Sequence, residues 1–384
     1  MHYIFPISTI CIIFLASCTN TGSEGNRSAG SDRQIALEEV LRLGDESQGD
    51  TILFGSVTRI VVNGRGDIFV AEERSWILHA FRADGAYLSQ VGAQGEGPGE
   101  YQYNFGGAAI GPADSVYLWV SWPHTRIQIY DSEDFSFTRS VQVHKEETDQ
   151  RNLYPLIGAT EDGWIMTIGF PNLMDGDDGF AINNDTDREL ILVSREGVLG
   201  SGLADPVSDD EEIWHIYEDS GGITYRRVPF GRSTTWRIGD DELLYYGWND
   251  SIEINFVSVD GSTRGVIRHK FDPVPITEAE ITEARRTDDP VWKDLYAAHA
   301  KHETKPAFQT FAVDEMGRVW VKLSSAEGAD QAEWLILDRE SRLVGTTTLP
   351  LSVNLEVVQG GYAYGIIEEQ DGFAPMVVVY EITE

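Results

Sequence analysis

From residue 57 onward the apolar positions fall in short runs that come in pairs, each pair split by a tight polar turn. The first pair is Val61-Val62-Asn63-Gly64-Arg65-Gly66-Asp67-Ile68-Phe69-Val70, and the second spans Ile110 to Leu118 around Gly111-Pro112-Ala113-Asp114. Further copies centre on Glu161-Asp162-Gly163, Gly239-Asp240-Asp241, Asp314-Glu315-Met316-Gly317 and Gln359-Gly360-Gly361. Apolar strand, Gly- or Asp-bearing turn, apolar strand is the pattern of a β-hairpin. A second hairpin follows each of the first five copies, with turns at 82–85, 131–134, 194–197, 259–262 and 338–341. Each unit therefore holds four strands in an up-and-down meander. Six such units predict an all-β chain folded as a six-bladed β-propeller with four-stranded antiparallel blades.

The two ends of this pattern fit each other. The sixth unit has only three strands, the last being Met376–Ile382. Residues 35–43, Ile-Ala-Leu-Glu-Glu-Val-Leu-Arg-Leu, precede the first unit without a partner. If this N-terminal segment is the outer strand of the last blade, both irregularities disappear and the ring closes without a long exposed edge. The expected domain is a single propeller over 34–384. A helical insert is predicted at about 275–304, between blades four and five. Thr277 with Glu280 forms a capping-box pattern, and Asp288-Asp289-Pro290 breaks the segment into two short helices.

The first unit also resembles NHL-type propeller repeats. The matching stretches are Gly66-Asp67-Ile68-Phe69-Val70-Ala71-Glu72, Ile77-Leu78-His79-Ala80-Phe81 and Asp84-Gly85-Ala86-Tyr87-Leu88. The Gly-rich link Gly92–Tyr101 follows them. From about residue 35 the chain is similar to uncharacterised six-bladed β-propeller lipoproteins of Bacteroidota-like and Gemmatimonadota-like bacteria. The resemblance implies the fold and confers no activity.

Residues 1–17 read as an export signal. Ile4 to Leu15 is an apolar run too short to span a bilayer, and Leu15-Ala16-Ser17-Cys18 resembles the lipobox of bacterial lipoproteins. Cys18 is then the expected lipid attachment site and residues 18–33 a flexible tether. The expected location is the cell envelope, anchored at an outer membrane; Thr19 in place of Asp favours that side. The only other cysteine, Cys11, lies inside the signal, so the mature domain has no thiol for a disulfide or a nucleophile.

Charge narrows the partners. With 29 Lys and Arg against 63 Asp and Glu, the formal charge is −34. A nucleic acid is not an expected partner, because phosphate binding needs a basic footprint. A monomer contacting an envelope protein, a peptide or a glycan is expected instead.

The A–B and C–D turns are short, whereas the B–C loops and D–A links are long and irregular, so the ligand-facing rim should be the second. Its candidate binding residues are Arg74 and Trp76 in blade one, Trp122, His124 and Arg126 in blade two, and Trp248 and Asn249 in blade four. Aromatic and Arg side chains at loop tips make good ligand contacts. The alternative for these Trp is packing between blades. No cofactor is expected, although the acidic loop with Asp175, Asp177, Asp178, Asp185 and Asp187 has the composition of a calcium site. His299 and His302, three apart, could share a metal only with a third ligand. No metal residues or catalytic residues are assigned. The alternative function is a metal-dependent propeller hydrolase or lyase, lactonase-like or NHL-lyase-like, acting at the channel mouth. It requires at least three His, Asp or Glu ligands converging near the axis.

Overall fold

The computed structural model describes residues 33–383 apart from 47–51, 73–74, 103–104, 122–123, 147–148, 150, 170–172, 177–178, 183–186, 206, 209, 217–222, 300–301 and 369–373. The predicted signal, Cys18 and all but the last residue of the tether lie outside the described residues.

Strands A to D run from the channel outward in each blade. Blade one is Val57–Val62, Ile68–Glu72, Ile77–Phe81 and Tyr87–Val91. Blade two is Phe105–Ile110, Val116–Val120, Arg126–Tyr130 and Phe137–Gln142. Blade three is Asn152–Ala159, Gly163–Gly169, Asp187–Ser194 and Leu199–Gly202, with Val207–Ser208 prolonging its outer edge. Blade four is Thr234–Ile238, Leu243–Trp248, Ile252–Ser258 and Arg264–His269. Blade five is Phe308–Val313, Val319–Leu323, Gln331–Leu337 and Leu343–Pro350.

Blade six is completed by the start of the domain. Its strands are Val353–Gln359, Tyr362–Ile367 and Met376–Thr383, and Ala36–Leu43 pairs antiparallel with the last of these, from Ala36 opposite Thr383 to Leu43 opposite Val377. The same segment reaches the neighbouring blade. Ile35 N donates to Thr346 O (2.8 Å) and Thr346 N donates to Arg33 O (3.0 Å).

Apolar strands pack face to face between blades, and six core clusters mark the six seams. Trp119, Tyr117 and Trp164 fill the seam of blades two and three; Tyr245, Phe308 and Phe311 fill that of four and five. Phe69 and Tyr101 lie between one and two, and Trp320 and Trp334 between five and six. The closing seam, six against one, holds Leu43, Phe54, Ile68 and Val377, all at most 4% exposed. The seam of three and four holds Ile157, Ile165, Leu190, Leu244 and Val257. A ring held at every seam positions its inner strands rigidly.

Turn chemistry fixes the short rim. Asp314 accepts from the backbone N–H of Met316 and Arg318 and from the Trp320 indole (3.0 Å), so the carboxylate closes the A–B turn of blade five. Gly197 has φ +83°, and a Cβ there would stand 1.9 Å from Gln142 O, so only glycine lets the C–D turn of blade three reach blade two.

The long rim carries the inserts. A hairpin, Glu212–Ile216 with Ile223–Arg227, occupies the link between blades three and four. Helices α1 (Glu278–Ala284) and α2 (Pro290–Ala298) occupy the link between four and five. The Thr277–Glu280 capping box is present, with Glu280 N donating to Thr277 Oγ1 (3.1 Å) and Thr277 N to Glu280 (3.0 Å). Trp292 and Tyr296 of α2 bury Ile213 of the hairpin, and the Arg226 guanidinium lies 4.5 Å over the Trp292 ring. The two inserts thus form one packed ledge on the rim.

Candidate functional site

Strand A of each blade is the one nearest the channel, and consecutive residues of it, Val57–Arg59 in blade one and Thr234–Arg237 in blade four, border one cavity there. Strand A of blade one reads Val-Thr-Arg-Ile-Val-Val and strand A of blade four Thr-Thr-Trp-Arg-Ile. An Arg within each of these strands therefore marks a polar channel lining.

A cavity of about 710 Å³ opens at the long-loop end of this channel, lined among others by Arg59, Arg188, Arg227, Arg237 and Lys322. Its acidic residues are Asp210, Glu356 and Glu368. Five cationic side chains against three carboxylates reverse the balance of a chain with 29 against 63. The opposite mouth, about 470 Å³, is lined by Asp114, Glu161, Asp240, Glu242 and Glu315. Burial and the nearby Glu315 and Asp314 raise the Asp240 carboxyl above its ordinary pKa. The channel thus runs from a cationic mouth to an acidic one.

The throat holds two guanidiniums and one carboxylate. Arg237 Nη2 pairs with Glu356 (3.0 Å) and also donates to Thr310 Oγ1 (3.2 Å). Arg59 Nη1 donates to Leu156 O (2.6 Å) and Nη2 to Ile157 O, both backbone carbonyls of blade three. Among the described residues no carboxylate lies within ion-pair distance of Arg59. Its pKa is pushed down to about 10, first by desolvation and then by the charge of Arg237, with Glu356 opposing. Above the throat, Arg227 pairs with Asp210 (3.1 Å) and Arg188 lies 3.9 Å over the Tyr154 ring. Lys322 is 1% exposed, and its Nζ donates to Leu351 O and Asn354 Oδ1, both at 2.7 Å. Asn354 Nδ2 in turn donates to Glu368 (2.6 Å).

Among the described residues, none of the loop positions singled out from the sequence lines this cavity. Arg74 and Trp122 lie outside the described residues. Trp76 (φ +53°) packs against the seam of blades one and two, and its carbonyl accepts from the Tyr101 hydroxyl (2.7 Å). Arg126 donates to Glu100 O (3.1 Å) and to the carbonyl of exposed His124 (3.3 Å), and it borders a separate surface cavity with Gly95–Gly99 and Phe137. Trp248 is half-buried at the end of its strand. Asn249 is 2% exposed with its amide engaged by Ser233, whose N–H donates to Oδ1 (2.9 Å), so it clasps a loop. The sequence signal for the actual lining was a cation inside an apolar strand: Arg59, Arg237, and Lys322 within Val-Trp-Val-Lys-Leu.

The two candidate histidines are engaged separately. Helix α2 ends at Ala298, so His299 bonds back to Leu295 O (3.0 Å), while His302 contacts Glu211 (2.6 Å) across the rim. The side chains of Asp175, Asp177, Asp178 and Asp185 are outside the described residues. Among the described residues no three His, Cys, Asp or Glu side chains are grouped to hold a metal.

A family model described as 6-bladed beta-propeller matches residues 47–152, which span blades one and two. No curated protein sequence matches the chain. Among solved structures, a member of the duf4221 family from Bacteroides vulgatus is 10% identical, with a TM-score of 0.51 over 92% of this chain and 100% of that one. A Bacteroides fragilis protein designated as exported is 13% identical, with a TM-score of 0.45 over 93% and 98%. Virginiamycin B lyase from Staphylococcus aureus is 11% identical, with a TM-score of 0.39 over 90% and 99%. The chain is a six-bladed β-propeller, closed by its own N-terminal strand, whose first two blades fit the family of that description.

Proposed function

We propose that this propeller is a binding scaffold of the cell envelope that takes an anionic ligand into its cationic channel mouth. The observation that carries this is the throat, where Arg237 pairs with Glu356 while Arg59 beside it is held only by the backbone carbonyls of Leu156 and Ile157 among the described residues. A desolvated cation without its own counterion is costly, and an anion entering from solvent relieves that cost. The cavity volume lies within the range of small-ligand sites. Inner strands, rather than loops, carry the two guanidiniums, which favours a pre-formed site.

The test is thermal unfolding with 10 mM acetate, citrate or inorganic phosphate at constant ionic strength. At least one should stabilise the wild type, by about 2.7 kcal/mol if its Kd is a hundredth of that concentration. R59Q should lose at least tenfold in affinity while staying within about 1 kcal/mol of wild-type stability, because removing Arg59 also removes its repulsion with Arg237. Absence of stabilisation by all three anions would defeat the proposal.

Attachment to the envelope is supported by Leu15-Ala16-Ser17-Cys18. Radiolabelled palmitate fed to expressing cells should mark the wild type and leave C18S unlabelled. Equal labelling of both would remove the anchor from the proposal.

A further inference from the structure

The rim hairpin presents two chemically distinct faces. Ile213 and Arg226 are directly opposed and share the face packed on α2, where Ile213 is 1% exposed and Arg226 covers Trp292. Residues one step along point the other way. On that second face Trp214 opposes Tyr225 and Glu212 opposes Arg227. Arg227 lines the cavity and pairs with Asp210, whose other oxygen accepts from Thr234 N (3.2 Å), so the second face is the one directed at the mouth.

Trp214 and Tyr225 are stacked, with centroids 4.7 Å apart and ring planes 24° apart. Tyr225 remains 54% exposed. A cross-strand aromatic pair buried in a core is ordinary packing, but this pair stands on a ledge whose other face already supplies the packing. It forms a flat apolar platform two residues, about 7 Å, from Arg227. The cavity wall bears the hydroxyls of Thr58, Thr167, Thr235 and Thr310 and the amide of Gln309, while Leu156 and Ile157 bury their side chains and turn carbonyls toward the throat.

Building on the anion-binding mouth, we infer that the ligand is an acidic oligosaccharide, a chain of hexuronate units. One carboxylate reaches the Arg59–Arg237 throat, ring hydroxyls meet the Thr and Gln wall, and a second sugar ring stacks on Trp214 and Tyr225. A pyranose has one apolar C–H face, which suits a flat aromatic surface, and its remaining edge is hydroxyl-rich. An acidic peptide matches the charge equally well, but it lacks the ring hydroxyls that would pair with the six Ser and Thr hydroxyls of the wall, and it offers no flat C–H face to the stacked aromatics.

The test uses the trimers of galacturonate, mannuronate and glucuronate, the three monomers, neutral maltotriose and tri-glutamate, in calorimetry and in tryptophan fluorescence. At least one uronate trimer should bind ten times more tightly than its monomer and change the emission. Y225A should remove that tenfold advantage and leave monomer affinity unchanged. W214A should do the same, with Y225A, at an exposed position, as the check against misfolding. Binding of no uronate trimer, tighter binding of maltotriose or tri-glutamate, or an unchanged trimer affinity in Y225A would overturn the saccharide. The anion-binding mouth fails separately, if R59Q binds citrate, phosphate and the uronate monomers as the wild type does.

Discussion

Deleting residues 33–43 should cost roughly 5 kcal/mol of folding free energy and expose a sheet edge. Ile35 (7% exposed) and Leu43 (4%) are buried in the two seams that flank blade six. Full burial of such side chains contributes about 1.5–3 kcal/mol each, and partly buried Leu37 and Leu41 add to it. The deletion also leaves Met376–Thr383 without its partner from Ala36 to Leu43. An unpaired strand invites pairing between copies, so concentration-dependent association should accompany the loss. A permuted chain provides the control. Because Ala36 lies opposite Thr383, residues 33–46 can be joined after Glu384 through a short Gly/Ser linker, giving blade six the C–D hairpin that the other blades have. The permutant should recover wild-type stability within about 1 kcal/mol by urea unfolding. A deletion variant as stable as the wild type would mean that the N-terminal strand does not hold the ring.

This closure was legible in the sequence because a hydrophobic period is a local signal. Each hairpin announces itself within ten residues, and a unit short of one strand identifies what must complete it. The capping box at Thr277 and Glu280 is equally local, and it appears as read. The cationic mouth was not legible, since Arg59, Arg188, Arg237 and Lys322 come from four blades and meet only through the ring. Loop tips are the more visible candidates in a sequence, and polar and aromatic residues also occur there for structural reasons. Asn249 is the instructive case. A polar residue after a Trp looked like a ligand contact, yet Ser233 engages its amide and its carbonyl accepts from Ala307 N (2.7 Å). A buried turn must satisfy its backbone, and an Asn does that as readily as it binds a ligand. The stronger pointer to the proposed mouth is a charge placed where apolar packing alone would not put one.

Between pH 8 and pH 10.5 the wild type should gain up to about 3 kcal/mol of stability relative to K322M. Lys322 is the next-to-last residue of a strand that is otherwise Val, Trp, Val and Leu, and its ammonium is tied to Leu351 O and Asn354 Oδ1 at the start of blade six. Desolvation draws its pKa down to about 8, with Glu368 opposing. Below that pH both folded and unfolded chains carry the proton, and the full cost of a buried charge is present. As pH rises through about 8 the folded chain releases the proton while the unfolded chain, with a pKa near 10.4, still binds it. The unfolded state then binds more protons, so unfolding free energy climbs until the unfolded amine also titrates. The gain is therefore complete above about 10.5 and is lost as pH falls toward 8. Methionine keeps most of the volume without the charge, and taking the difference between the two proteins cancels the tyrosines that titrate in the same range. Urea unfolding of both at half-unit steps of pH measures it, and a flat difference across the window would show that the amine is not desolvated. The same titration strips one positive charge from the channel mouth. Anion affinity should consequently weaken over the pH range in which the fold grows stronger, an opposition expected where a binding site is built from buried charge.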